Sequence, residues 1–206
     1  MQFSEIKLYA SKASLSADVE REFPAKLTPN CQLCSLHENA QTVCMSAEGK
    51  PGGLLIVGMY PGKLEDSKGR GNMGTTGQYL RRLVSRLWEG PVVYDHAVKC
   101  APGKRKPTPT MIAACRPYLS SIVHDAKPSR IIALGSDAVA GLIGRGVPAL
   151  SARRGYSYLA YSDIPVYIMP HPASIYNNRI WRAKFEQDLD WAINGPLPTK
   201  PPVDGV

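Results

Sequence analysis

The sequence predicts a three-layer α/β/α fold around a central four-stranded, mostly parallel sheet. Three observations predict it. Short apolar runs closed by glycine or polar residues alternate with stretches of helical period, the pattern of βαβ units. The runs are apolar at successive positions rather than at every second one, as strands covered on both faces are. A chain of 206 residues, 44% hydrophobic and 20% charged, is long enough to bury a sizeable core as one domain.

The elements follow in order. The first thirty residues read as partly helical and break at PAKLTPN. Leu54 to Gly58 (LLIVG) is the first buried strand. Gln78 to Trp88 sets Leu80, Leu83, Val84 and Leu87 at helical spacing with arginines on the other face. Val92-Val93-Tyr94 opens a second strand. Thr108 is placed to cap a helix running to Val123, with Pro109 at its first position. Arg130 to Gly135 is a third strand, and Ser136-Asp137 is expected to cap the helix behind it. Ile164 to Met169 is a fourth strand, and Asn178 to Ile193 a last amphipathic helix. The end, NGPLPTKPPVDGV, has no apolar period. A single domain over residues 1–195 with a loose tail over 196–206 is therefore expected.

No apolar run approaches the roughly 18 residues a membrane span needs. The opening MQFSEIKLYASKAS lacks the basic-then-apolar order of a signal peptide. A cytoplasmic monomer is expected. Lys and Arg outnumber Asp and Glu by 25 to 17, a net charge of +8, which suits a polyanionic partner. No Walker lysine pattern follows the glycine-rich loop, so a nucleotide triphosphatase is not favoured.

Five cysteines in a reducing compartment argue against a closed disulfide framework and for metal or cluster ligation. Cys31 and Cys34 form a C-x2-C pair, Cys100 ends a strand and Cys115 lies in the following helix. These four converge if the N-terminal loop folds over that strand–helix corner. Four thiolates fit an iron–sulfur cluster or a structural zinc. Cys44 competes as the third ligand of C-x2-C-x9-C, and Cys115 alone would be an ordinary small core residue.

In parallel α/β sheets the ligand sits beyond the carboxyl ends of the strands. Three polar loops lie there, at residues 59–77, 95–107 and 170–179. The first is rich in glycine, which lets backbone N–H groups approach a ligand and opens into a helix N-terminus.

Together these segments resemble the uracil-DNA glycosylase superfamily, and within it the iron–sulfur family 4 enzymes. The family's G-E-x-P-G…E-D…G-R-P-F-V-G-x-A-G loop is matched by Gly58-Met59-Tyr60-Pro61-Gly62, Glu65-Asp66 and the segment from Gly69 to Gly77. Its Asn-led V-V-K-C-R-P block is matched by His96 to Pro102, with Arg105 to Pro107 after it. Cys115, the strand Pro128 to Gly135, Arg154-Gly155 and His171-Pro172-Ala173 complete the series. The likeness runs from about Cys31 to Ile193.

The resemblance implies a monofunctional glycosylase that hydrolyses the N-glycosidic bond of a flipped-out pyrimidine nucleotide and leaves an abasic site. It implies a 4Fe-4S cluster on Cys31, Cys34, Cys100 and Cys115, with structural zinc as the alternative and Cys44 a bystander. His171 would donate to the base as negative charge develops there, with Gly58, Met59, Tyr60, Asn72 and His96 lining the base pocket. Asp95, Glu65 and Asp66 are rivals for orienting the attacking water. Ser174, Ile175 and Tyr176 match the segment that fills the gap in the duplex. Lys104, Arg105, Lys106, Arg153, Arg154, Arg179 and Arg182 are expected on DNA phosphates.

The departures fall on residues that read the base. The family's stacking Phe is Asn72, its Pro neighbour is Gly71, its uracil-reading Asn is His96, and its loop Glu is Met59. His96 as donor beside Asp95 as acceptor would suit the cytosine edge, and the lost bulk would admit a polar group on C5. A hypermodified phage cytosine, excised in antiviral defence, is the expected substrate. Uracil in base-excision repair is the first alternative, with Tyr60 and Tyr94 then free to take over base recognition. A non-catalytic cluster-bearing DNA-binding module and a zinc-stapled nucleic-acid module are the others.

Overall fold

A computed structural model of the chain describes residues 4–5, 30–144, 155–159 and 163–198. The strands are β1 (Ser4–Glu5), β2 (Glu48–Gly49), β3 (Leu54–Gly58), β4 (Val92–His96), β5 (Arg130–Leu134), β6 (Gly155–Tyr158) and β7 (Pro165–Met169). The helices are α1 (Lys63–Lys68), α2 (Thr75–Leu87), α3 (Pro109–Ala126), α4 (Ser136–Ile143), α5 (Pro172–Ile175) and α6 (Arg179–Asn194), with a 3-10 turn at Ser35–Glu38.

The four expected strands are β3, β4, β5 and β7, and they form the parallel centre of the sheet. The expected strand number is too small, because the sheet has seven strands in the order β1-β6-β7-β5-β3-β4-β2. The three extra strands are short and lie toward the edges, where no continuous apolar run is required. β2 and β6 pair antiparallel with β4 and β7.

Alternation along the central strands divides the core into two layers. Leu55, Val57, Val93, Ile131, Ala133, Val166 and Ile168 face α3 and α4. Leu54, Ile56, Tyr94, Ile132, Leu134, Tyr167 and Met169 face α2 and α6. Three layers result, as expected. Thr108 caps α3 by accepting the Met111 N–H at 3.3 Å. Asn178 caps α6 by accepting the Ile180 and Trp181 N–H groups, both at 3.1 Å. The cap of α4 differs from expectation: Gly135 holds that position and Ser136 and Asp137 begin the helix itself.

Strand order reverses at β3, whose neighbours β4 and β5 both follow it in sequence. Chains leaving β3 and β5 therefore diverge to opposite faces, and a crevice opens at their carboxyl ends. No helix among the described residues is long and apolar enough to cross a membrane.

Candidate active site

The loop leaving β3 brings Met59 against the end of β5. A Cβ built on Gly135 would sit 2.8 Å from the Met59 sulfur and 3.2 Å from the His171 Cβ. Three strand ends thus meet, and Gly135, at φ +91°, is the residue that lets them.

His171 begins the turn into α5. Its Nδ1 accepts the Ala173 N–H at 3.2 Å, so Nδ1 carries a lone pair and the ring proton resides on Nε2. Burial pushes the imidazole down to about 4, against a smaller opposing pull from Glu65. At neutral pH His171 is therefore an uncharged donor with a fixed tautomer.

Glu65 is buried inside the glycine loop. Its Oε1 accepts the Gly74 N–H at 2.7 Å, and a Cβ on Gly62 would lie 2.6 Å from its Oε2. Gly62 is bare because this carboxylate fills the space beside it.

The other two acidic candidates are engaged elsewhere. Asp66 accepts the Gln41 and Thr42 N–H groups at 3.1 and 2.9 Å, and Thr42 Oγ1 donates to its backbone carbonyl at 2.5 Å. It ties the cysteine-bearing segment to α1. Asp95 is paired with Lys99, and both side chains are 1% exposed. Burial raises the Asp95 pKa while the Lys99 ammonium opposes that rise. The expected partnership of Asp95 with His96 is not formed. Adjacent strand residues face opposite sides of a sheet, and Lys99 holds the Asp95 carboxylate.

His96 is 7% exposed. Burial, then the Lys99 charge, then His171 and Arg81, push it down to about 3, so it too is neutral. It stands between two glycines. A Cβ on Gly58 would meet its Cδ2 at 3.1 Å, and one on Gly71 would meet its Cε1 at 3.0 Å. Arg81 secures this corner: its Nη2 donates to the Gly71 carbonyl at 3.0 Å and to Glu48 at 2.9 Å, and its guanidinium lies 4.3 Å from the Tyr94 ring centre. Asn72 adopts φ +56°, and Gly77 must be glycine because a Cβ there would come within 2.5 Å of the Asn72 backbone. Tyr60 is half-buried and leans toward the cysteines, packing on the group that contains Val98, Cys100 and Cys115.

Cys100 and Cys115 are buried together with Leu36, Val98 and Ile112, and Cys34 packs against them. The Cys44 backbone N–H donates to the Cys100 sulfur at 3.3 Å. Burial, then the Cys31 and Cys100 thiols, push Cys44 up to about 12. Burial raises Cys100 as well, with Cys34 and Cys31 adding to the rise. Cys34, Cys100 and Cys115 thus share one apolar group, and among the described residues no three His, Cys, Asp or Glu side chains close around one ion. A single zinc needs its sulfurs at about 2.3 Å from one centre. Four thiolates are equally the donor set of an iron–sulfur cluster, in which each binds its own iron.

Of the residues expected on phosphates or in the duplex, Lys104, Arg105, Lys106, Ser174 and Arg179 are exposed. Ile175 is buried, 6% exposed, in the layer under α6, and Tyr176 packs edge-on against Tyr79 with ring centres 5.4 Å apart. The segment expected to enter the duplex therefore has its apolar members turned inward. The first turn of α6 carries the reverse: Ile180 is 79% and Trp181 47% exposed. The sequence analysis assigned this pair no role; their place beside Arg179 and Arg182 was the available signal. Arg153, Arg154, most of the first thirty residues and the tail beyond residue 198 lie outside the described residues.

Comparison with known proteins gives consistent results. Residues 49–192 match the profile of the family described as "Uracil DNA glycosylase superfamily". A "Type-4 uracil-DNA glycosylase" of Pyrobaculum aerophilum is 34% identical over 181 residues, covering 84% of this chain and 92% of that protein. Proteins of the same name from Sulfurisphaera tokodaii and Thermotoga maritima are each 29% identical. The first alignment covers 78% of this chain and 77% of the relative, the second 77% and 84%.

Proposed function

The chain belongs to the uracil DNA glycosylase superfamily, and from that premise we propose that it hydrolyses the N-glycosidic bond of a flipped-out pyrimidine nucleotide in DNA and leaves an abasic site. The observation that carries this is the neutral His171 ring, locked by Ala173 with its Nε2–H free. As the bond breaks, positive charge grows on the sugar and negative charge on the departing base. A neutral donor already aimed at the base's O2 stabilises that negative charge without having to reorganise. Backbone N–H groups of the loop at residues 58–62 assist. Glu65 orients the water, since Asp66 and Asp95 are held by other partners. Lys99, the buried lysine near this corner, is bound to Asp95 and forms no imine, so borohydride trapping on DNA gives no adduct.

Cys31, Cys34, Cys100 and Cys115 would hold the 4Fe-4S cluster. When bound it supplies a crosslink between the N-terminal segment and the β4–α3 corner, and hydrolysis uses none of its redox capacity. DNA is gripped by Lys104, Arg105, Arg179 and Arg182 through phosphates. Ile180 and Trp181 enter the gap left by the flipped nucleotide, as apolar wedges do in other DNA-distorting proteins.

For the base itself, the pocket is read as fitting a pyrimidine with a polar group on C5, such as a hydroxymethylated or sugar-bearing phage cytosine removed in defence. What supports this is the loss of the stacking Phe at Asn72 and of the Pro side chain at Gly71. Without Asp95, His96 must read the edge alone, and a neutral imidazole offers one donor and one acceptor. The second reading is uracil, favoured by the relatives, which are named as uracil-DNA glycosylases.

Oligonucleotides bearing uracil, 5-hydroxymethylcytosine or glucosylated cytosine separate the two. Cleavage of a modified cytosine well above uracil is expected, and uracil alone being cut overturns that choice. His171→Ala is expected to slow cleavage about 100-fold to 1,000-fold. Undiminished cleavage by that variant would overturn the mechanism.

A further inference from the structure

We propose that Gly71 and His96 are one coupled specificity element, in which position 71 is glycine in order to admit the imidazole at 96. This rests on the glycosylase reading and concerns which base that site accepts.

Two positions in the loop and strand depart from the family pattern at once: Pro to Gly71, and Asn to His96. Glycine is usually demanded by backbone conformation, and here it is not. Gly71 is absent from the residues with positive φ, so a residue with a side chain could adopt this backbone. Among the described residues, the heavy atoms such a Cβ would find within 4 Å, its chain neighbours aside, are Cε1 of His96 at 3.0 Å and Nδ1 at 3.6 Å. The single structural reason for glycine is the histidine.

The ring lies between two bare backbone positions. Its Cδ2–Nε2 side faces Gly58, where an added Cβ would also crowd it, at 3.1 Å. The loop cannot withdraw freely, because Arg81 holds the Gly71 carbonyl at 3.0 Å and is itself braced by Glu48 and Tyr94. The slot is therefore held on the Gly71 side and admits the ring because neither flanking residue carries a Cβ.

Its occupant also has hydrogen-bonding capacity that the described residues do not use. His96 is more than nine-tenths buried, and no described residue hydrogen-bonds its ring nitrogens. Its ring nitrogens are not among the buried polar atoms left without a partner, so they keep access to the site's open side. A flipped base edge can use that donor and that acceptor. The pair thus fixes the height and orientation of the edge-reading ring, and neither member is exchangeable by itself.

The test is a double-mutant cycle with G71A and H96N, read in two ways. Single-turnover base release is measured on whichever oligonucleotide the unmodified protein cuts best. Thermal unfolding is measured on the same four proteins without DNA. G71A is expected to cut the rate by about tenfold or more with His96 present, and by no more than about threefold in the H96N background. The melting temperature should fall by about 3 °C in the first case and stay nearly level in the second. Equal effects of G71A in both backgrounds, in rate and in melting alike, overturn the coupling. If none of the proteins cleaves any base, the glycosylase reading fails instead, while the melting cycle still tests the pair.

Discussion

The Lys99 ammonium and the Asp95 carboxylate meet inside the protein with 1% of either side chain exposed. Taking either partner away leaves a charge that neither water nor another residue can neutralise. Lys99→Met is expected to destabilise the fold by about 3–5 kcal/mol. Asp95→Asn combined with Lys99→Met should recover a good part of that loss in urea unfolding. A double variant as unstable as the single one contradicts the pairing as the source of the effect.

Acid should weaken the fold earlier than the carboxylates alone require. His96 and His171 are held down to about 3 and about 4, below the ordinary value for histidine near 6.5. The unfolded chain therefore takes up protons between about pH 6.5 and 4 that the folded chain refuses, and stability falls as pH falls through that window. The urea midpoint is expected to drop from pH 7 to pH 4.5, and His171→Ala should flatten the slope. Over the same range above pH 5, the rate should show no rise from an imidazolium forming at His171.

Ile180 and Trp181 should matter for double-stranded DNA and little for single strands, because only a duplex leaves a gap to fill. Ile180→Ser with Trp181→Ser is expected to reduce cleavage of duplex substrate about tenfold or more, from the lost apolar wedge. Cleavage of the same base in a single strand should change far less. Equal losses on both substrates would assign the pair to folding or general binding.

Cys44→Ser is expected to leave the brown cluster absorption intact, whereas serine at Cys31, Cys34, Cys100 or Cys115 should remove it. The contact from Cys44 to Cys100 is made by the backbone N–H, which serine retains. Loss of the visible bands in Cys44→Ser would exchange it for one of the four.

The central strands were legible because Leu54 to Val57 and Arg130 to Leu134 are apolar at nearly every position, which only two-sided burial explains. Glu48–Gly49 carries no such mark, since an edge strand two residues long is defined by its partner. Motif order placed His171 and Glu65 in the loops at the strand ends, and the structure has both there, His171 just after β7 and Glu65 within the glycine loop. The site was illegible at Asp95, because a lysine four residues on is a commonplace in sequence and becomes an ion pair only once the turn after β4 folds back. Ile175 and Ile180 are the same residue type five positions apart; which one turns inward depends on the short α5 helix and the break before α6.

The brace that Arg81 places on Gly71 also ties the base pocket to the edge of the sheet. Arg81 Nη2 donates to the Gly71 carbonyl and to Glu48, which opens the short edge strand β2 beside β4. The wall next to His96 is therefore held from outside the pocket, by a carboxylate on an edge strand that faces no base.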